Sequence, residues 1–120
     1  MNNIRQYFNS RGDLLISLYI NDLFLKGRVD HAKKILKTLE RLEENNLDLL
    51  LRIKLVKKIK GRKNIFELII NWKKANYRIF FSIINGNFYL TNIFYKKKKK
   101  TPVDEIELAE KRKKELELNF

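Results

Sequence analysis

The sequence predicts a single α+β domain: two N-terminal helices packed on a small twisted antiparallel sheet, followed by a C-terminal helix. Apolar residues recur at helical spacing in the first half of the 120-residue chain. Residues 64–95 are instead rich in β-branched and aromatic side chains, interrupted by turn signals. The last twenty residues return to a charge-rich helical pattern. A chain of this length suits one hydrophobic core, so we expect one domain over residues 1–120.

The N-terminal half is expected to hold an edge strand and two helices. Residues 4–8 (IRQYF) have the composition of a short strand at the sheet edge, and residues 12–26 read as a first helix that ends at Gly27. Asp30 is expected to cap the second helix. The apolar positions of that helix follow one face: Ala32, Ile35, Leu36, Leu39 and Leu42. Residues 47–60 are ambiguous, since they fit a helix, a strand or pieces of both, and are expected to form a loop with some local order.

The second half is predicted to be a three-stranded meander. Asn85-Gly86 is a strong hairpin signal, because a two-residue type I′ turn needs positive φ at both central positions. This turn pairs Ile84 with Asn87. Carried to the far end of the hairpin, the same register places Arg78 opposite Ile93.

The registers decide which side chains share a face, because strand faces alternate with period two. A turn over residues 73–76 places Ile69 opposite Phe80. We expect Arg78, Ile69 and Tyr95 on one face, and Phe94 on the opposite, helix-covered face. We expect helices to cover only the face that carries Phe94.

A last helix is predicted after the lysines. Thr101 is expected at the N-cap and Pro102 at the first helical position, with Asp104 and Glu105 in the first turn. The helix should end near Leu116.

The net charge indicates a polyanionic partner. Lys and Arg number 27 against 14 Asp and Glu, a formal charge of +13, which suits nucleic acid, an anionic membrane surface or an acidic protein. The chain has no cysteine and one histidine, which excludes disulfides, thiolate nucleophiles, cysteine zinc sites and two-histidine ribonuclease chemistry. The longest apolar run, residues 14–25, is too short to cross a bilayer and is a poor signal peptide. We expect a soluble, cytoplasmic protein without membrane association.

The stretch NIFYKKKKKTP (residues 92–102) is the main candidate for function. A lysine run is commonly a solvated or phosphate-attracting segment, and it can pass for a nuclear-localisation patch. Its place between a strand and a helix favours a connector over a free tail. Arg78 has two interpretations, a phosphate clamp or a salt-bridge partner of Glu67. His31 is expected to be structural and Trp72 to be part of the core.

These residues resemble a known family. The segments IFEL, YRIFF, the Asn-Gly hairpin and FYKKKKKTPVDEIELA are similar to RelE/HigB-like toxins of type II toxin–antitoxin systems, particularly the phage-derived branch. The resemblance covers about residues 13–114. It implies an endoribonuclease (mRNA interferase) that cleaves mRNA in the ribosomal A site through attack by the RNA 2′-OH, without cofactor or metal. It also implies inhibition by a cognate antitoxin, usually a helix-turn-helix protein of the HigA kind.

The resemblance implies functional residues by matching position. Arg78 matches the arginine of the family's Tyr-Arg strand, and Thr101 and Pro102 match its Thr-Pro. The family's three lysines correspond to Lys96, Lys97 and Lys100. With Tyr95 added from the predicted register, the expected catalytic residues are Arg78, Tyr95, Lys97 and Lys100. The expected RNA contacts are Lys73, Lys74, Lys96, Lys98 and Lys99.

One position departs from the family pattern. The family has aromatic-Glu-Leu-Arg where this chain has Phe66-Glu67-Leu68-Ile69, so the missing arginine would have pointed toward Arg78. We therefore expect an attenuated toxin. The alternative is a basic RNA- or ribosome-binding module without catalysis, since charge alone drives affinity. A structural protein that binds another protein is the third interpretation.

Overall fold

The fold is built on one mixed sheet of five strands with helices on both sides. The computed structural model describes residues 1–119, and the following bounds refer to them. The elements are β1 Asn3–Gln6, α1 Leu15–Leu25, α2 Val29–Glu44, α3 Leu47–Arg52, β2 Val56–Lys58, β3 Phe66–Trp72, β4 Ala75–Ile84, β5 Asn87–Tyr95 and α4 Val103–Leu118. The strand order is β1-β5-β4-β3-β2. The general α+β class is confirmed, and none of these helices is long and apolar enough to span a bilayer.

The two faces of the sheet carry different helices, whereas one covered face was expected. On the α1–α2 face, Leu68, Ile79 and Phe81 pack in the main core with residues of the first three helices. On the α4 face, Phe80 and Phe94 pack against Ala109. The expectation of helices on one face is therefore wrong, because apolar side chains on the second face also need cover.

Helix α2 follows its predicted pattern with one exception. Ala32, Ile35 and Leu42 are fully buried, as their spacing indicates. Leu36 is instead 43% exposed. The helix begins at Val29, so Asp30 lies in its first turn rather than at the cap. There its charge is favourable to the helix dipole.

The segment expected to be a loop contains a helix and a strand. Helix α3 begins after Asn46, whose side-chain oxygen accepts a hydrogen bond from the Leu49 amide at 2.8 Å. Strand β2 then pairs with β3, with Val56 opposite Leu68. At the other edge, β1 is the expected edge strand, but it runs parallel to β5. The sheet is therefore mixed, not antiparallel throughout.

The two hairpins differ in how well the sequence predicts them. At Asn85-Gly86 both φ angles are positive and Ile84 pairs with Asn87, as expected. Between β3 and β4 the turn has only two residues, Lys73-Lys74, because Trp72 pairs with Ala75. The shorter turn shifts the register.

Beyond the turn, a β-bulge at Thr91 in β5 makes the observed β4–β5 register differ from the predicted one. Phe80 lies opposite Asn92, whereas Phe81 lies opposite Leu90, so Thr91 is an extra residue. The Thr91 hydroxyl lies 2.8 Å from Asn92 Oδ1, and Arg112 of α4 donates to the Thr91 carbonyl at 2.7 Å. These contacts satisfy hydrogen-bonding groups of the bulge inside the protein. Every β5 side chain after the bulge lies on the face opposite to the predicted one.

The start of α4 also differs from expectation. The N-cap is Pro102 and the helix begins at Val103. The Thr101 hydroxyl instead donates to Glu67 Oε2 at 3.4 Å, so the predicted Thr101 cap is wrong. Asp104 and Glu105 do lie in the first turn.

Candidate functional site

The lysine run is an exposed connector between β5 and α4. The Lys96 amide donates to the Asn76 carbonyl at 2.7 Å, which extends the β4–β5 pairing by one residue. Lys97, Lys98, Lys99 and Lys100 are exposed. The run is therefore held at both ends by regular structure, as its position in the sequence indicates.

The bulge separates the expected catalytic residues. Arg78 pairs with Phe94, not with Ile93, and Tyr77 pairs with Tyr95. Tyr95 consequently lies on the α1–α2 face, where its ring contacts that of Tyr77 edge-on at 5.3 Å between centroids. Phe94 lies on the α4 face with Phe80. The expectation that Tyr95 and Arg78 share a face, with Phe94 opposite, is wrong.

Arg78 forms an ion pair on the α4 face. Its Nε lies 3.5 Å from Glu67 Oε2, and its Nη1 donates to the Tyr77 carbonyl at 3.0 Å and to Asn71 Oδ1 at 3.3 Å. The side chains of Arg78 and Glu67 are only 11% and 7% exposed. Burial lowers the pKa of Arg78, and the Glu67 carboxylate opposes that shift. The salt bridge anticipated from sequence is present.

Ile69 is closer to Arg78 than predicted. The two residues are direct cross-strand partners in the β3–β4 pair, so the expectation that Ile69 lies opposite Phe80 is wrong. They do lie on the same face of the sheet. An arginine at position 69 would therefore meet Arg78 beside the Glu67 carboxylate.

A cavity lined by three tyrosines opens on the other face. It has a volume of about 360 Å³ and lies between α1, the ends of β4 and β5, and the lysine run. We call it the tyrosine pocket. Its lining residues are Tyr19, Asp22, Leu23, Lys26, Arg28, Tyr77, Tyr95 and Lys97. Cationic side chains therefore border an aromatic wall, which is the combination that nucleic-acid sites use for phosphates and bases.

The tyrosines form a connected cluster. Tyr77 is almost fully buried, at 1% exposure, and its ring contacts Tyr19 edge-on at 6.3 Å between centroids. The Tyr77 hydroxyl lies 2.8 Å from His31 Nδ1. The expected structural role of His31 agrees with this contact, although the contact also ties the histidine to the pocket.

Burial raises the pKa of two hydroxyls of the cluster, those of Tyr19 and Tyr77. Burial raises the pKa of Tyr19 to about 12, and the neighbouring Tyr77 adds to the shift. Burial also raises the pKa of Tyr77, whereas the Arg28 guanidinium beside it acts in the opposite direction. Both groups are therefore hydrogen-bond donors under ordinary conditions.

A second cavity adjoins the first at Tyr95 and Lys97. It has a volume of about 430 Å³, and we call it the lysine-loop pocket. Its other lining residues are Lys98, Lys100, Thr101, Pro102 and Val103. Tyr95, which is 39% exposed, thus lies between two cavities and is accessible to a ligand that crosses from one to the other.

The predicted RNA contacts are distributed over the surface. Lys98 and the predicted catalytic Lys100 line the lysine-loop pocket. Lys73 and Lys74 form the β3–β4 turn. Lys96 is half-buried, and Lys99 lies on the exposed connector. Only Tyr95 and Lys97 of the predicted residues line the tyrosine pocket.

Sequence patterns did not indicate the other half of this site. No motif or spacing distinguishes Tyr19, Tyr77 or Arg28 as functional residues. The Gly27-Arg28 pair between two predicted helices was the available signal, since it indicates an exposed cation at a helix junction. Among residues 1–119 there is no group of three or more acidic or histidine side chains placed to hold a metal ion.

Comparison with known families identifies the chain's relatives. Residues 24–114 match the model of the family described as Phage derived protein Gp49-like (DUF891). The chain belongs to this family. The Gp49-like proteins are phage-derived and toxin-like, so the phage-derived, toxin-like part of the resemblance is confirmed, whereas the RelE/HigB assignment stays a prediction. No curated protein and no solved structure matches the chain significantly.

Proposed function

We propose that this Gp49-like protein is the toxin of a toxin–antitoxin pair and acts as a ribosome-dependent mRNA interferase of the RelE/HigB kind. The observation that carries the proposal is the tyrosine pocket, in which Arg28 and Lys97 border three tyrosine rings packed edge-on. Membership of a toxin-like family supports the class of activity. The formal charge of +13 supports an RNA substrate.

The pocket suits cleavage of RNA by its own 2′-OH. In that reaction the 2′ oxygen attacks the phosphorus, the 5′ oxygen leaves, and a 2′,3′-cyclic phosphate and a 5′-hydroxyl result. The pentacoordinate intermediate carries additional negative charge. Arg28 and Lys97 can hold that charge, because fixed cations beside a reacting phosphate lower the barrier. Within residues 1–119 no ion pair of either side chain occurs.

Tyr95 is our candidate for direct contact with the reacting nucleotide. Its exposed ring can stack on a base, and its hydroxyl can transfer a proton to or from the ribose oxygens. Tyr77 is a positioning residue, since it is buried and lies between His31 and Arg28. Lys100 and Lys98 would contact phosphates on the far side of Tyr95. Arg78 is assigned a structural role.

An antitoxin is the second partner that this function requires. A helix-turn-helix protein of the HigA kind that covers the tyrosine pocket would keep the toxin inactive. Tyr95 and Lys97 would then be buried by the antitoxin.

The test is in vitro translation with purified ribosomes and mapping of new 5′-hydroxyl ends on the mRNA. We expect cuts in the A-site codon. Lys97→Ala and Arg28→Ala should each reduce cleavage at least about tenfold, because each removes a charge at the phosphate. Tyr95→Phe separates the two roles of Tyr95, since it keeps the stacking ring and removes the hydroxyl.

Matched controls remove the same charge elsewhere. Lys111 of α4 and Arg52 at the end of α3 are exposed and line neither cavity. Lys111→Ala and Arg52→Ala should keep normal cleavage. If both pocket variants cleave normally, the assignment of the pocket is wrong.

A non-catalytic RNA- or ribosome-binding module is the second candidate function. Ile69 in place of the family arginine favours it, and so does the burial of Arg78 against Glu67. The same assay distinguishes the two. Ribosome binding and translation arrest without new mRNA ends would support the module.

A further inference from the structure

A second cationic surface lies beside Trp72, the only tryptophan of the chain. Trp72 ends β3 and is half-buried. Two cavities of about 310 and 300 Å³ meet at Asp30 and Trp72. We call the joined depression the tryptophan groove. It runs along the start of α2.

The charge of the groove is strongly positive. Five cationic side chains line it against one carboxylate, that of Asp30. The cations are Arg28, Lys33, Lys34, Lys37 and Lys73. Helix α2 contributes three of them within about one turn, which places their ammonium groups along one edge of the groove. Such a row attracts the phosphates of a polyanion.

Lys73 is held in an unfavourable backbone conformation next to the tryptophan. Its φ angle is +54°, a region in which glycine or asparagine is better tolerated than lysine. Its Nζ lies 5.4 Å from the centroid of the Trp72 ring. The two-residue turn thus holds a cation against the aromatic ring.

The tryptophan groove continues the tyrosine pocket. Arg28 lines both, so a strand whose phosphate contacts Arg28 can extend in either direction. We propose that the tryptophan groove binds single-stranded RNA upstream or downstream of the nucleotide in the tyrosine pocket, with one base stacked on Trp72 and the flanking phosphates on the α2 lysines. The proposal rests on the proposed function for the identity of the strand.

Single-stranded RNA fits this surface better than a membrane. The lining is mainly charged, and Trp72 and Val29 are its large apolar members. An exposed aromatic ring among cations is how proteins bind unpaired nucleotides without reading their sequence. A membrane-binding surface would need a broader apolar face.

The test uses the intrinsic fluorescence of Trp72 in the intact protein. The probe is a single-stranded oligoribonucleotide of about ten residues, within the usual range of site sizes. A matched abasic strand of equal length provides the same charge without bases. We expect saturable quenching by the RNA, and binding of the abasic strand without comparable quenching. Equal quenching by both strands would overturn the stacking.

Substitutions at two positions separate stacking from charge. Trp72→Leu, measured by filter binding because it removes the fluorophore, keeps an apolar side chain and should weaken RNA binding about five- to a hundredfold, whereas Trp72→Phe should retain most of the affinity in the same assay. Lys37→Gln should lower the salt dependence of binding by close to one phosphate contact. Unchanged affinity in Trp72→Leu would overturn the proposal. A blue shift with phosphatidylserine vesicles and no response to RNA would also overturn it, in favour of a membrane.

The outcome can be separated from that of the proposed function. Lys97→Ala should lose mRNA cleavage but retain the fluorescence response. Quenching without cleavage in the unmodified protein would support RNA binding in the tryptophan groove and contradict the proposed enzymatic activity. Cleavage without quenching would support the proposed enzymatic activity and contradict RNA binding in the tryptophan groove.

Discussion

Both faces of the central sheet carry cationic side chains, which are paired and buried on one face and border an open cavity on the other. On the α4 face, Arg78 is buried against Glu67 and bonded to the backbone. On the α1–α2 face, Arg28 and Lys97 border an open cavity beside three tyrosines. A cation that already has its carboxylate is not available to a phosphate. The comparison shows that accessibility and pairing, rather than residue type, decide which arginine is a candidate for chemistry.

The largest expected effect is on stability at the α4 face. Arg78→Ala leaves the Glu67 carboxylate buried without its partner, and we expect a loss of about 3–5 kcal/mol in the free energy of unfolding. Arg28→Ala should change it by less than about 0.5 kcal/mol, because Arg28 is exposed. Urea denaturation measures both. An Arg78→Ala variant that is as stable as the unmodified protein and yet inactive would contradict the structural role of Arg78.

An alkaline titration tests the burial of the tyrosine pocket. Tyr19 has a pKa of about 12 when folded, against 10.0 ordinarily. Only the unfolded form releases this proton between those values, so the free energy of unfolding is unaffected below about pH 10. It should then fall by at most about 1.4 kcal/mol per pH unit up to pH 12. The difference between the unmodified protein and Tyr19→Phe isolates this contribution. Parallel curves would show that the hydroxyl is solvated.

Ile69→Arg introduces, on the α4 face, the arginine expected from the resemblance to RelE/HigB-like toxins. We expect mRNA cleavage within about twofold of the unmodified protein, because position 69 lies opposite Arg78 and away from the tyrosine pocket. The two facing cations should lower stability by about 0.2–1 kcal/mol. Ile69→Met is the uncharged control. A marked gain in translation arrest would instead support attenuation by Ile69 and place the reaction beside Arg78.

The smallest effect concerns the one acid of the tyrosine pocket. Asp22 pairs with Lys26 at 2.8 Å, and both side chains are more than half exposed. Asp22→Asn should raise RNA affinity by roughly twofold at low salt, since it removes a repulsive charge and releases Lys26. Filter binding at two salt concentrations measures the change. Weaker binding in Asp22→Asn would argue that RNA does not enter the pocket.

Local signals predicted the parts of the fold that depend on neighbouring residues. The Asn85-Gly86 turn, the buried positions Ala32 and Ile35, and the connector role of the lysines all follow from short-range patterns. The Lys73-Lys74 turn could not be predicted, because Lys73 adopts a positive φ that lysine does not favour, and strand pairing overrides that preference.

The candidate site required contacts between distant parts of the chain. Tyr19, Tyr77 and Tyr95 come from three separate elements, and no spacing rule relates them. The face of Tyr95 depends on the bulge at Thr91, which is stabilised by Arg112 of the last helix. The register predicted from the hairpin turn alone cannot include that contact with a distant helix.

The Thr91 bulge also has a consequence for how this chain can change by insertion and deletion. Loss of the single residue 91 would remove the bulge but leave Asn92 opposite Phe80, so all later β5 side chains, including Tyr95, would keep their faces. Loss of residues 91 and 92 would instead place Ile93 opposite Phe80 and move Tyr95 from the open cavity to the side of Arg78. Odd and even changes in length at this point therefore have opposite outcomes, and alignments of relatives that misplace one gap in β5 would assign Tyr95 to the wrong side of the protein.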